Sequence, residues 1–472
     1  MPTRRQFCGG LASAAIFPFL PSMPNFSSPS SLQALQQRFI DLRFGMFVHF
    51  NMATFQNREW GDPTGSTELF DPTNLNCGQW ADAAVSAGMK YACITPKHHD
   101  GFCLWPTKTR SASVNQTPKK IDVFHAFVEA FRSRRLKVGF HFSILDLRED
   151  IRRFDVNRDK IELIKEQLTE LLTNYGEIDI VIFDGWDAPW SRISYEEVPF
   201  QEIYAHVKGL QPNCLVSDLN AGKYPPPALY YSDIKAFEQN AGQHIPGDNA
   251  IPAQSCVTLT DGWFWKAGDE NRELKSVHQV VEEWLKPQNE ILCNLILNAP
   301  PTTEGVLASN VVQRLAEIGQ AWKNPGLAAR LASPKLITSP NLATGQPIYA
   351  SSCADTIGPD EANDGSFQSA WAPDDGKTDG WLEIRFRKPV TFNAVTLVSS
   401  GDSQIRNYRF QTWSGSSWKD LVAGSESGTV RMHAVPRTTA SRLRVVLSGR
   451  EGFRIADIGV YDEPSAVHWD DA

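Results

Sequence analysis

Between residues 33 and 325 the chain repeats one pattern: a short, almost uninterrupted apolar run followed by a segment with helical spacing. "FGMFVHF" (44–50), "YACITPKHH" (91–99), "LKVGFHFSI" (136–144), "DIVIFD" (179–184), "CLVSD" (214–218) and "EILCNLILNAPP" (290–301) read as strands. Between them lie helical patterns such as "CGQWADAAVSAGM", "IDVFHAFVEAFRSRR" and "RDKIELIKEQLTELLTNYG". A strand with no polar face is buried on both sides, as parallel strands under a coat of helices are. The number of these units over about 300 residues predicts an α/β fold of the (β/α)8-type barrel class rather than an open doubly wound sheet. No glycine-rich nucleotide motif supports the open sheet.

The texture changes after "NPG" (324–326). From about 335 to 466 helical periodicity gives way to short alternating runs ("WLEIRF", "FNAVTLVSS", "RLRVVLSG", "ADIGVYD") separated by Gly, Ser and Asp turns. That is the pattern of an all-β sandwich of the jelly-roll kind. With 472 residues the chain exceeds what one core can organise, and the expected division is a barrel over 27–330 and a sandwich over 335–466.

Residues 1–26 have a different character. Arg4-Arg5 precede a weakly apolar run from Leu11 to Leu20, too short to span a bilayer, so the segment reads as a twin-arginine export signal. The expected location is outside the cytoplasm, periplasmic or secreted, with no transmembrane segment once the signal is removed. A net charge of −8 and the lack of any basic stripe argue against a nucleic-acid partner. Beyond Cys8, seven cysteines are irregularly spaced, several within apolar runs, which predicts buried thiols rather than a disulfide framework.

In a (β/α)8 barrel the C-terminal ends of the strands form the site. Polar residues just past apolar runs are therefore candidates: His49, then Glu59-Trp60 in the following loop, His98-His99 with Trp105, His141, Asp184-Gly185-Trp186, and Asn298 at the end of the run that reads as strand seven of the barrel. His98-His99-Asp100 suggests a metal at first sight, but adjacent strand residues point to opposite faces, so no metal is expected in the barrel. Asp184 is the most constrained: a carboxylate is costly after such an apolar run, and Gly185 beside it leaves room for another group to approach.

"RFGMFVHF", "EW", "ITPKHHDGFCLW", the stretch leading to "FDG" at 183–185 and "NLILNAPPTTEG" together resemble the α-L-fucosidases of glycoside hydrolase family 29. The resemblance spans about residues 30–325. It implies Asp184 as the nucleophile of a retaining enzyme, and His49, Glu59, Trp60, His98 and His99 as contacts to a fucose ring. Retaining glycosidases need two carboxyl groups roughly 5–5.5 Å apart, one ionised and one holding a proton. In "DIKAFEQNAG" the likeness places Glu238 as the acid/base, with Asp233 and Asp248 as fallbacks. In "PAQSCVTLTDGWFWK", Ala253-Gln254 stands where relatives carry Trp-Glu. His141, where a Tyr is expected, Trp186 and Trp263 complete the expected sugar-binding set. No cofactor is required by such chemistry, and the partner is a fucosylated glycan.

The C-terminal region, with Asp364-Gly365, Trp371 and "IADIGVYD", resembles the discoidin or coagulation-factor type C fold, which includes carbohydrate-binding modules. That likeness implies a structural calcium near Asp364 and Asp457. Two other readings stand beside the fucosidase: an inactive sugar-binding protein on a hydrolase barrel, motivated by Gln254, and a retaining glycosidase for a related sugar such as α-L-galactose.

Overall fold

The computed structural model describes residues 30–332, 335–400, 405–425 and 429–464, so the expected export signal at 1–26 lies outside the described residues. The barrel strands are β1 (Phe44–Val48), β2 (Tyr91–Lys97), β3 (Lys137–Ser143), β4 (Ile180–Asp184) and β5 (Leu215–Asp218). After the two-residue β6 (Leu229–Tyr230) come β7 (Lys235–Glu238), β8 (Ala253–Thr258) and β9 (Cys293–Asn298). All but β6 join one parallel sheet in the order β5-β4-β3-β2-β1-β9-β8-β7. Asn298 thus ends the eighth barrel strand, not the seventh, because two strands (β7 and β8) fill the interval before it.

Helix α1 (Leu32–Ile40) precedes the barrel, and the short α2 (Met52–Phe55) sits in the loop after β1. Then α3 (Cys77–Ser86), α4 (Val123–Ser133), α5 (Arg158–Thr173) and α6 (Phe200–Leu210) follow β1 to β4 in turn. Asn or Asp side chains cap three of these four starts: Asn76, Asp122 and Asn157 each accept an N–H from the first turn. No α-helix follows β5 or β7. A π-helical stretch, Gln279–Leu285, runs into α7 (Lys286–Glu290) after β8, and α8 (Ser309–Ala321) follows β9.

Strand residues alternate between two cores. Those facing outward, such as Met46, Val138, Val181, Phe183 and Leu297, pack under the helices, while Phe47, Cys93, Ile180, Ile182, Ala236, Cys256 and Ile296 fill the barrel. By the same period of two, Asp184 follows Ile182 inward, His49 follows Phe47, Glu238 follows Ala236 and Asn298 follows Ile296.

Strands β5 and β7 are not joined by a ladder. Asp233 closes that seam: its N–H donates to the Val216 carbonyl at 2.7 Å, and its Oδ2 accepts from the Val216 N–H at 2.8 Å and from Lys208 Nζ at 2.6 Å. Tyr204 donates to Oδ1 at 2.8 Å. Asp233 is committed to the architecture and is not at the mouth, and Asp248 lies exposed on a loop. Cysteines 77, 93, 103, 214, 256, 293 and 353 are free thiols, all buried except the half-buried Cys353.

In the linker, β10 (Leu336–Ile337) pairs in parallel with β6. The sandwich follows: β11 (Ile348–Ala350), β12 (Asp379–Ser399), β13 (Ile405–Trp413), β14 (Trp418–Ser425), β15 (Val430–Gly449) and β16 (Ile455–Tyr461). The long strands β12 and β15 lose register between Arg385 and Val390, so their halves serve two layers. One layer combines β11, Asp379–Arg385, Arg442–Ser448, β13 and β14; the other combines Val390–Ser399, Val430–Ala440 and β16. Trp371, Leu382, Ile384, Val395, Phe410, Val445 and Ile458 form the core between them. The second layer turns Ala394, Val398, Val430, Ala456 and Tyr461 toward the barrel's own core, with Tyr461 against Tyr230 at 6.4 Å.

Candidate active site

Asp184 ends β4 inside the mouth and is 7 % exposed. Its Oδ2 lies 3.3 Å from His141 Nε2 and 3.6 Å from His99 Nε2, and its Oδ1 accepts from Asn220 Nδ2 at 3.0 Å. Burial alone would push the carboxyl's pKa up. Hydrogen bonds from His141 and from the Asn220 amide counter it, and the pKa lies at about 2. Two sequence-based expectations about its neighbours change. Gly185 (φ +103°) makes room for protein, not sugar: a Cβ there would come within 2.9 Å of the Leu145 N. Trp186 does not line the pocket. Its indole is fully buried, donates to the Val198 carbonyl at 2.9 Å and packs on Phe183 and Phe200 beneath the mouth.

The histidines gather as expected, with one difference. His98 and His99 do not point to opposite faces, because β2 ends at Lys97 and strand alternation stops there; their rings lie 3.9 Å apart within one cluster. Hydrogen bonding assigns their tautomers. Ser143 gives its proton to the Leu145 carbonyl at 2.6 Å, so at 2.7 Å from His99 Nδ1 it accepts. Burial pushes His99 down to about 4. It is therefore neutral at pH 7, protonated on Nδ1, with Nε2 left as an acceptor. His49 is built alike: Asn298 donates its amide to the Trp263 carbonyl at 2.8 Å and offers Oδ1 to His49 Nδ1 at 2.7 Å. Burial keeps His49 and His98 far below the usual imidazole range. Two imidazoles thus present bare Nε2 atoms to a ligand that donates hydroxyls. His141 points Nε2–H at Asp184, while its Nδ1, like that of His98, is buried without a protein partner.

Glu238 ends β7, half-buried. Burial, and then the charge of Asp184, raise its carboxyl to about 7, against a smaller opposing pull from Trp263. The charge of Asp184 thus acts on Glu238, and the two carboxyls are displaced in opposite directions from their ordinary values. Trp263 meets His49 in a tilted ring contact at 4.8 Å. Its loop is tied by Glu59, which accepts the Trp263 N–H at 3.0 Å and pairs with Lys266 at 2.5 Å. Trp60, 39 % exposed, covers His99 at 4.6 Å. Gln254 lies elsewhere. It is the second residue of β8, at the closed end of the barrel, and accepts from the Tyr91 hydroxyl at 3.1 Å, so it does not occupy an acid/base position. Trp105 is also outside the mouth, fully buried and bonded to Glu170.

Four participants were not singled out from the sequence. Asn220 follows β5, and inspecting the end of "CLVSD" as the other strand ends were inspected would have found it. Asp218, raised to about 8 by burial, accepts the Asn220 N–H at 3.0 Å and the Tyr195 hydroxyl at 2.6 Å. Ser143 ends β3. Trp190, 42 % exposed, meets His99 at 4.4 Å and Trp60 at 5.0 Å, completing an aromatic rim. Its place in an irregular loop carries no periodic signal.

Among the described residues no group of three or more His, Cys, Asp or Glu side chains is arranged to hold a metal. In the sandwich, Asp457 is fully enclosed and raised to about 8 by burial and by Asp364. Two carboxylates suit a hard cation, but the fit is partial. Asn341 turns its amide toward both Asp457 oxygens at 3.4 Å, and Asp364 is already bonded by Ser366 and Ser369.

Residues 21–326 match the model of the alpha-L-fucosidase family, and residues 347–458 match the F5/8 type C domain. Alpha-L-fucosidase 1 of Arabidopsis thaliana is 26 % identical over 88 % of this chain and 84 % of its own length. Alpha-L-fucosidase isoenzyme 1 of Paenibacillus thiaminolyticus shares the fold at a TM-score of 0.54, with 21 % identity over 89 % of this chain and 100 % of that one. A Ruminococcus gnavus fucosidase solved with fucose superposes at a TM-score of 0.51, with 20 % identity over 94 % and 98 % of the two chains. With the matched model spanning the whole barrel and its polar mouth, the chain belongs to the alpha-L-fucosidase family of glycoside hydrolases.

Proposed function

We propose that this chain is an exo-acting α-L-fucosidase that releases terminal fucose from glycans by double displacement with retention. The observation that carries the reading is one mouth holding two coupled carboxyls in opposite states: Asp184 ionised beside His141 and Asn220, Glu238 still protonated near neutrality. In the first step Asp184 Oδ attacks the anomeric carbon, and Glu238 gives its proton to the departing glycosidic oxygen. In the second, Glu238 takes a proton from water, which attacks the same carbon and frees Asp184. The bare Nε2 atoms of His49 and His99 suit ring hydroxyls. The Trp60, Trp190 and Trp263 surfaces offer the apolar wall that a C6 methyl calls for.

Hydrolysis of an aryl α-L-fucoside followed by NMR tests this reading. The first-formed sugar should be the α-anomer, and Asp184→Asn should abolish turnover. First release of the β-anomer, or turnover surviving Asp184→Asn, would overturn it. The same panel with an aryl α-L-galactoside reads the strictness of the methyl wall. Export through the Arg4-Arg5 segment and a structural calcium at Asp364 and Asp457 belong to the same reading.

A further inference from the structure

The sandwich layer facing away from the barrel carries an unusual outer surface. Cross-strand pairing aligns Tyr349 with Glu383, Glu383 with Arg444, and Arg444 with Gln411. One step along the strands, Arg385 pairs with Arg442, and Trp413 pairs with Trp418. Planar rings and guanidinium groups alternate along this face. Arg385 lies over Tyr349 at 4.1 Å, Arg442 over Trp413 and Trp418 at 4.7 and 5.1 Å, and Arg444 over Trp418 at 4.3 Å. Tyr349 is 44 % exposed and both tryptophans are half-buried.

The charges of this cluster do not cancel. Arg385 and Arg442 share one oxygen of Glu383, at 2.6 and 2.8 Å, and Arg444 is held only by the neutral amide oxygen of Gln411, at 3.1 and 2.7 Å. Asp420 stands next in that row, accepting from Gln411 at 2.7 Å and paired with Arg409 at 3.3 Å, so four cations face two carboxylates on a chain whose net charge is −8. Glu383 and Gln411 fix the guanidinium planes in advance, which lowers the entropy lost when a ligand docks. Forked donors of this kind match carboxylate and sulfate oxygens, and the rings between them match the apolar faces of sugars.

We infer that this face binds an acidic polysaccharide, one bearing uronate carboxylates or sulfate esters, at a distance from the catalytic mouth. The inference does not rest on the hydrolytic reading. Affinity electrophoresis of the full chain through gels containing polygalacturonate, dextran sulfate or plain dextran tests it, since the two dextrans differ only in sulfate. Retention by both polyanions but not by dextran is expected, weakened about tenfold or more in Arg442→Gln/Arg444→Gln and in Trp418→Ala. Arg385→Gln, which alters an exposed residue, provides a weaker version of the same loss should the double variant fold poorly. Aryl fucoside turnover should stay unchanged in all of them. No retention, retention unaffected by these substitutions, or equal retention by single-stranded DNA that ignores Trp418→Ala would overturn the inference.

Discussion

A neutral imidazole donates from one nitrogen only, so Ser143, having given its proton to Leu145, commits His99 to accept through Nε2. Ser143→Ala removes that commitment without touching the ligand. A fall in kcat/KM of roughly fivefold is expected, about 1 kcal/mol for one hydrogen bond, with melting temperature nearly unchanged. The two carboxyls set a second expectation. Glu238, raised to about 7, holds its proton below that pH and loses it above, so kcat/KM should decline on the alkaline side of about 7. Asp184, held at about 2, stays ionised throughout the mildly acidic range. In Glu238→Gln the alkaline limb should vanish, and turnover on a substrate with a poor leaving group should drop about 10²–10⁴-fold. An unchanged limb would remove Glu238 from the acid/base role. Asp184 was legible in the sequence because a charge ending an apolar strand has few bland explanations. Trp186, adjacent to it, was misread because nothing in the sequence says on which side of a turn an indole falls.

Six apolar strands announced themselves, and β7 and β8 did not. "KAFE" and "AQSCVT" carry Lys, Glu and Gln and have no α-helix between them, so neither an unbroken apolar run nor an intervening helical pattern marks them. The seam they help close was equally invisible, since a ladder replaced by the side chain of Asp233 leaves no pattern. Asp233→Ala would strand Lys208, Tyr204 and the Val216 N–H in a buried place. A loss of about 3–5 kcal/mol is expected from urea unfolding, whereas a catalytic carboxylate would instead lose turnover at full stability. The β4 end offers a companion test. Gly185→Ala forces a side chain onto a left-handed backbone and against Leu145, so it should lower both stability and kcat by displacing Asp184.

At the scale of the whole molecule, the buried Asp457 sets a pH dependence. Its folded-state pKa of about 8 exceeds the unfolded value near 4, so its stabilising contribution is full in acid and is lost as pH rises toward 8. The melting temperature of the sandwich should therefore fall from pH 5 to 8, and Asp457→Asn should flatten that slope. Added calcium at pH 8 should restore the lost degrees in the parent chain and EDTA reverse them; no response would leave the carboxyl simply protonated and the ion unnecessary. The barrel and sandwich also share a packed interface. β10 is laddered to β6, Tyr461 meets Tyr230, and Phe367 meets Tyr224 at 5.6 Å, on the loop that continues from Asn220. The two units are thus mounted at a set bearing rather than tethered. A polymer gripped on the far sheet would meet the catalytic mouth at an interval fixed by the protein's own dimensions, and lengthening the connecting loop would do little to alter which bonds come within reach.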